Sequence, residues 1–254
     1  MGIISTLKNI LNFLAPKGKK PKFTSAVIVA GGSSTRMGNG ISKQLTPLCG
    51  IPVVIHTLLA FENCPLISEI IVVAKADELE HYEKFKKDYN ITKLKKAVVG
   101  GDSRQRSVEK GFAAVSQKCE FGAIHDGARC LITADEIAKV CEEAYVCNAA
   151  TAAVKATDTI KIATDNGFIE STPDRNKVWH AQTPQVFFAD LYRAAVAVGN
   201  RDKITVTDDC SLVEHIDHPI KLVECSRNNI KITTARDLAF ASSVIKSRVK
   251  KEES

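Results

Sequence analysis

The residues best suited to chemistry in this 254-residue chain begin with Ala26-Val-Ile-Val-Ala-Gly-Gly-Ser-Ser-Thr-Arg-Met-Gly38, followed by Lys43-Gln44. An apolar run stops at Ala30-Gly31-Gly32, small hydroxyl residues follow, and Arg36 and Lys43 add two cations at short range. The pattern reads as a buried strand opening into a loop whose backbone N–H groups face a ligand. N–H nests with fixed cations suit a polyphosphate. No Gly-Lys-[Ser/Thr] follows the glycines, so the loop is not a Walker A motif. Read from Gly38, Lys43 stands where a dinucleotide fingerprint needs its third glycine.

Three more polar clusters each follow a strand-like run: Gly100-Gly-Asp-Ser-Arg-Gln-Arg-Ser107, His125-Asp-Gly-Ala-Arg129 and Arg227-Asn-Asn-Ile-Lys231. Open α/β sheets bind ligands beyond the carboxyl ends of their strands. Four such loops at one edge therefore point to a single large site. Asp126, ending a buried strand before Gly127, reads either as a turn cap or as a magnesium ligand. Mg²⁺ takes one or two carboxylates with phosphate oxygens and water, which favours the metal beside a polyphosphate loop. Arg104 and Ser107, in the first turn of a helix, either cap it or hold a base and ribose. Lys231 is either a solvated charge or the holder of a second anionic group. His56, His180, His215 and His218 read as structural, and no Ser/His/Asp or Cys/His spacing marks a covalent nucleophile.

These loops need an alternating scaffold. Strand-like runs at Ser25–Ala30, Glu69–Ala74, Lys96–Val99, Gly122–His125, Ala149–Val154 and Ile220–Val223 alternate with helical patterns at Pro52–Glu62, Asp77–Asp88, Ser103–Gln117 and Asp135–Cys147. That order predicts an α/β fold with a mostly parallel sheet covered by helices on both faces. Thr133-x-x-Glu136 is a capping box. The alternation breaks at about 155–178, where Asp165-Asn-Gly167 between alternating segments signals a β-hairpin. A hairpin inserted in such a sheet projects from the body and suits contact with another subunit. Short helices near Ala189–Val198 and Asp208–Ile216 and a C-terminal helix from about Ala235 complete one domain, residues 23–254, without internal repeats.

Residues 1–22 form a separate extension. Ile3, Leu7, Ile10 and Leu14 share one helical face, and a basic Pro/Gly linker, Ala15 to Lys22, follows. The face suits docking or a partner better than a membrane surface, since Lys8 is the only cation within the helix itself. The net charge of +6 is carried by the ends: residues 1–22 hold five Lys and no acid, and residues 246–254 hold four cations and two acids. The body is then near neutral, which argues against nucleic acid as a partner. Eight scattered Cys without Cys-x-x-Cys or zinc spacing read as free thiols of a reducing cytoplasm. No apolar run is long enough for a transmembrane segment.

Taken together, the motifs resemble the 2-C-methyl-D-erythritol 4-phosphate cytidylyltransferases of non-mevalonate isoprenoid synthesis. Beyond the clusters above, the likeness rests on Asp158-Thr-Ile-Lys161, Arg175, Trp179-His-Ala-Gln-Thr-Pro-Gln185 and Thr207-Asp-Asp-Cys-Ser-Leu-Val-Glu214. It implies a Rossmann-like fold of the nucleotidyltransferase/glycosyltransferase-A kind, with transfer of CMP from CTP to a polyol phosphate. By that likeness Arg36 and Lys43 are the catalytic cations at the CTP phosphates. Ala30, Gly31, Gly32, Gly101, Asp102, Arg104 and Ser107 match nucleotide-binding positions. Asp126 matches the magnesium ligand, Gly127 lies beside it, and Arg129, Thr207 and Lys231 match contacts near the acceptor phosphate. Thr159 and Arg175 match hairpin-arm residues that reach the partner subunit's site in a homodimer. Two departures stand out: Ala30-Gly31-Gly32 where the family has Ala-Ala-Gly, and Cys130 where Pro is common. Lys155-Ala-Thr-Asp-Thr159 is also similar to the ribitol 5-phosphate cytidylyltransferases, which leaves that acceptor as an alternative, with a non-catalytic nucleotide-binding protein as another.

Overall fold

The computed structural model describes residues 22–32 and 42–252. Arg36 and the amphipathic face within residues 1–21 lie outside them.

A seven-stranded sheet runs in the order β11-β7-β10-β6-β1-β4-β5. Its strands are β1 (Thr24–Val29), β4 (Glu69–Ala74), β5 (Leu94–Val99), β6 (Phe121–Asp126), β7 (Ala149–Lys155), β10 (Trp179–Phe188) and β11 (Lys221–Glu224). β1 lies between β6 and β4, parallel to both, with Val29 opposite Asp126 and Val73. Two small hairpins are added: β2 (Pro47–Leu48) with β3 (Ile51–Pro52), and β8 (Ile162–Ala163) with β9 (Ile169–Ser171).

The strand period of two divides the core between two layers. Ala26 and Ile28 of β1 face a cluster with Val54, Ile55, Leu58 and Phe61 of α1 (Val53–Asn63), Tyr82 of α2 (Leu79–Asp88) and Ile137 and Val140 of α4 (Ala134–Cys147). Val27 and Val29 face the other, with Val108 and Phe112 of α3 (Arg104–Ala113), Tyr192 and Ala195 of α5 (Ala189–Arg201) and Leu212 of α6 (Cys210–Glu214). A third, smaller cluster seats α7 (Ala235–Glu252) through Ala241 against Leu48, Leu131 and Ile232. The Thr133/Glu136 capping box is formed at the start of α4. The cysteines are free thiols, and Cys64, Cys119, Cys130, Cys141 and Cys210 are buried.

Three features differ from the expectations. Trp179–Phe188 is a long strand, antiparallel to both β6 and β7. Pro184 argues against a central strand, and the pairing with β7 is broken between Ala181 and Gln185, around that proline. Helix α3 ends at Ala113, four residues before the expected Gln117. The Glu69 carboxylate, fixed by the Ser25 hydroxyl at 2.6 Å, takes the Ser116 N–H at 2.7 Å and draws the chain off the helical path. The arm at 155–178 carries only the short β8–β9 ladder, closed by the Thr164–Phe168 turn with Gly167 at φ +81°.

Candidate active site

β1, β5 and β6 end at one edge of the sheet, and their following loops enclose a cleft of about 330 Å³. Gly31 and Gly32 line it after β1, and Gly101, Asp102, Arg104 and Ser107 after β5. Asp126 from the end of β6, Lys43 and Lys231 complete the cationic and anionic lining. Nine residues named from the sequence therefore meet in one cavity.

Close contacts explain Gly101 and Gly127. A Cβ on Gly101 would lie 2.4 Å from the Arg106 Cβ, so only glycine lets the loop fold onto the start of α3. The Ser103 hydroxyl caps α3 by accepting the Arg106 N–H at 3.1 Å. The Ser107 hydroxyl donates to the Ser103 carbonyl at 2.8 Å and accepts the Gly101 N–H at 3.0 Å. Ser107 therefore shapes the turn. A Cβ on Gly127 would come within 3.2 Å of the Val29 carbonyl, to which the Gly127 N–H donates at 2.9 Å.

Asp126 is the electrostatic centre. Its Oδ2 lies 2.9 Å from Lys231 Nζ and 3.6 Å from Arg129 Nε, and its Oδ1 lies 3.2 Å from Arg104 Nε. Burial alone favours the neutral acid. Lys231, Arg104 and Arg129 outweigh it and hold the carboxyl well below the usual carboxylate range. Arg104 also meets the buried Asp209 at 2.8 Å. Burial works against the Arg104 charge, but Asp209 and Asp126 prevail and keep it firmly protonated. Lys231 and Arg129 are thus ion-paired with Asp126, the Lys231 side chain remaining 38% exposed.

A layer of uncharged groups aims this cluster. The buried His125 is pushed down to about 3 by desolvation, so it stays neutral. Its Nδ1 meets the Thr183 hydroxyl at 2.9 Å, and that hydroxyl also accepts the Asp126 N–H at 3.1 Å. The buried Asn229 amide donates to the Gln182 side chain at 3.1 Å and to the Thr183 carbonyl at 2.9 Å. The Asn229 carbonyl accepts from Arg129 Nη1 at 2.9 Å, and the Ile232 N–H donates to the Ala128 carbonyl at 2.9 Å. The loop bearing Lys231 is thereby fastened to β10 and to the loop after β6. The roles of Thr183, Gln182, Asn229 and Asp209 were not drawn from the sequence. Their signal there is only two amides, a hydroxyl and a carboxylate in segments rich in turn residues.

Other named residues stand apart from the cleft lining. Ala30 is buried behind it, its N–H bonded to the Val73 carbonyl at 2.7 Å. Thr207 is exposed on the turn before α6. Thr159 and Arg175 are exposed on the arm, where Arg175 donates to the Thr157 carbonyl at 3.0 Å. Within one chain the arm residues are not part of the cavity lining.

The donor set bears on a metal. Among the described residues no three His, Cys, Asp or Glu side chains are grouped to hold an ion. Asp126, ionised, and Asp102 are the carboxylates lining the cleft. Such a set fits a hard cation that keeps its waters and takes most of its oxygens from a polyphosphate, as Mg²⁺ does. No helix among the described residues is long and apolar enough to cross a membrane.

Comparison with known proteins agrees with this geometry. The sequence model described as 2-C-methyl-D-erythritol 4-phosphate cytidylyltransferase matches residues 24–247. A protein of that name from Alkaliphilus oremlandii is 42% identical over 226 residues, covering 89% of this chain and 96% of its own. One from Caldanaerobacter subterraneus is 43% identical over 218 residues, covering 85% and 96%. The crystal structure of 4-diphosphocytidyl-2C-methyl-D-erythritol synthase from Anaerococcus prevotii superposes with a TM-score of 0.80 at 31% identity, covering 89% and 97% of the two chains. That of the Francisella tularensis 2-C-methyl-D-erythritol 4-phosphate cytidylyltransferase gives 0.72 at 29% identity, covering 87% and 99%. With matched sequence over residues 24–247 and a shared fold, this chain belongs to the 2-C-methyl-D-erythritol 4-phosphate cytidylyltransferase family.

Proposed function

We propose that the cleft transfers CMP from CTP to the phosphate of 2-C-methyl-D-erythritol 4-phosphate and releases pyrophosphate, a step of isoprenoid precursor synthesis. The observation that carries the reading is the cation-lined cleft, with no nucleophile–base pair among the described residues. An acceptor phosphate is itself anionic near neutral pH, its second pKa being about 6. One of its oxygens attacks the α-phosphorus of CTP, the bond from that phosphorus to the β-phosphate bridge breaks, and pyrophosphate leaves with the electron pair. No side chain has to take a proton. Catalysis then rests on alignment and on neutralising negative charge as it builds.

Lys43 faces the triphosphate, and the family likeness assigns Arg36 to the same phosphates. Gly31 and Gly32 offer backbone N–H groups, and Gly101, Asp102, Arg104 and Ser107 form the cytidine side. Lys231 and Arg129, set by Asp126, face the acceptor phosphate, with Thr207 at the rim. Asp126 is the residue that would hold Mg²⁺, which supplies charge neutralisation on the triphosphate. Thr159 and Arg175 serve the partner's site, so the working unit is a homodimer joined through the arm. Phe168 and Ile169 on that arm are 73% and 66% exposed, apolar surface of the kind an interface covers. The unit of function is the domain from residue 23 onward, with residues 1–22 as an appendage, and the free thiols suit the cytoplasm.

The test offers the purified protein CTP and Mg²⁺ with either 2-C-methyl-D-erythritol 4-phosphate or ribitol 5-phosphate and measures pyrophosphate. Release with the first acceptor and little with the second is expected. A preference for ribitol 5-phosphate, or CTP binding without release for either, would overturn the reading.

A further inference from the structure

Behind the cleft wall lies a carboxylate that the proposed chemistry does not use. Asp209 is 1% exposed, on the turn that leads into α6. Its Oδ1 accepts the Tyr192 hydroxyl at 2.8 Å, and its Oδ2 meets Arg104 Nη1 at 2.8 Å. The backbone of the turn is held by another group. The buried Gln185 side chain accepts the N–H of Asp209 at 2.9 Å and of Cys210 at 3.1 Å, and donates to Asp208 at 2.8 Å. The Asp209 carboxylate is therefore spare as far as the turn is concerned.

A buried carboxylate is costly unless its partner matters. Its partner here is Arg104, which spans two carboxylates, Asp209 on one side and Asp126 on the other. Asp126 continues the chain of alternating charge to Lys231 and Arg129. Arg104 lines the cleft at the start of α3, beside the Gly101–Ser103 turn. A long cation lining the cleft, balanced by Asp126 alone, would be drawn toward the phosphates of the bound nucleotide and would pull Asp126 with it.

We propose that Asp209 is a positioning residue for CMP transfer: it anchors Arg104 against the cleft wall, so that Asp126 and its cations keep their alignment when the triphosphate enters. The inference rests on the cytidylyl-transfer reading. It gives Asp209 no contact with substrate. Its effect must pass through Arg104.

Asp209→Asn keeps the shape and removes the charge. The expected result is a kcat lower by about 10- to 100-fold, less than the roughly 10²- to 10³-fold for losing a group that itself contacts the transition state, with the Kd for CTP by calorimetry unchanged or tighter, because net positive charge at the cleft rises. In an Arg104→Gln background the same change should cost less than about twofold, the non-additivity of residues that act as a unit. Equal loss in both backgrounds, or a CTP Kd that weakens in step with kcat, would overturn the role and mark Asp209 as merely structural. Tyr192→Phe, which leaves the charge and removes one hydrogen bond, serves if Asp209→Asn does not fold. A several-fold fall in kcat is then expected, and an unchanged kcat would overturn the role. Wild-type protein runs in the same assay. If it releases no pyrophosphate, the parent reading fails; if it is active and Asp209→Asn equals it, only the positioning role fails.

Discussion

The centre around Asp126 and the arm at 155–178 are built on opposite principles. In the centre, one buried carboxylate faces Arg104, Arg129 and Lys231, and every one of these comes from a different loop. Uncharged groups on β10 and the loop after β11 fix them further. The arm has a two-residue strand against a three-residue one, with its residues almost wholly exposed. The centre takes its geometry from its own chain. The arm carries apolar side chains, Phe168 and Ile169, that its own chain leaves uncovered. Position in the fold explains the difference: the centre sits where parallel strands converge, and the arm leaves the sheet after β7.

Substitutions can break this contrast, and the largest effect falls at the centre. Asp126→Asn leaves three cations without their shared anion. Removing one partner from a buried charge cluster costs about 3–5 kcal/mol, so urea unfolding should show a loss of that order, with activity abolished. A loss below about 0.5 kcal/mol, the range of ordinary surface changes, would show that the cluster is loosely held. Asn229→Ala comes next. It strands the Gln182 side-chain oxygen and the Thr183 carbonyl, at a cost of about 1–3 kcal/mol. Because Lys231 is two residues on, the Michaelis constant for the acceptor should rise while that for CTP changes little. A rise for CTP alone would place Lys231 on the wrong side of the cleft. The smallest effect on stability belongs to the arm. Phe168→Ser with Ile169→Ser should leave unfolding within about 0.5 kcal/mol per concentration-matched monomer, yet shift sedimentation from dimer to monomer and lower kcat/KM about tenfold or more. A variant that stays dimeric, or a monomer with full activity, would remove the arm from the account.

The same contrast governs what was legible in the sequence. Strands β1, β4, β6 and β7 are buried along nearly their whole length, and their apolar runs gave them away. The site loops after β1, β5, β6 and β11 could be placed because small residues and charged side chains come directly at the end of each run. β10 could not, because its sequence carries Gln182, Thr183, Pro184 and Gln185, polar residues and a proline that mark a loop in isolation. They belong to a strand here because their side chains serve the site: Gln182 and Thr183 hold Asn229 and Asp126, and Gln185 holds the turn before α6. The end of α3 was equally hidden, since Glu69, which captures the Ser116 N–H, lies 47 positions away. Site residues were legible where they end strands and illegible where they act on one another across the fold, as Asp209 does on Arg104.

The central claim is that positive charge, and no base, drives the transfer. Single-turnover CMP transfer by Lys43→Ala, at saturating CTP and acceptor, tests it most directly. The account predicts a rate lower by about 10²- to 10³-fold, as for loss of one preorganised transition-state donor, with CTP affinity changed by only a few-fold. A variant that transfers CMP at close to the wild-type rate, or one whose defect lies wholly in CTP binding, would contradict it.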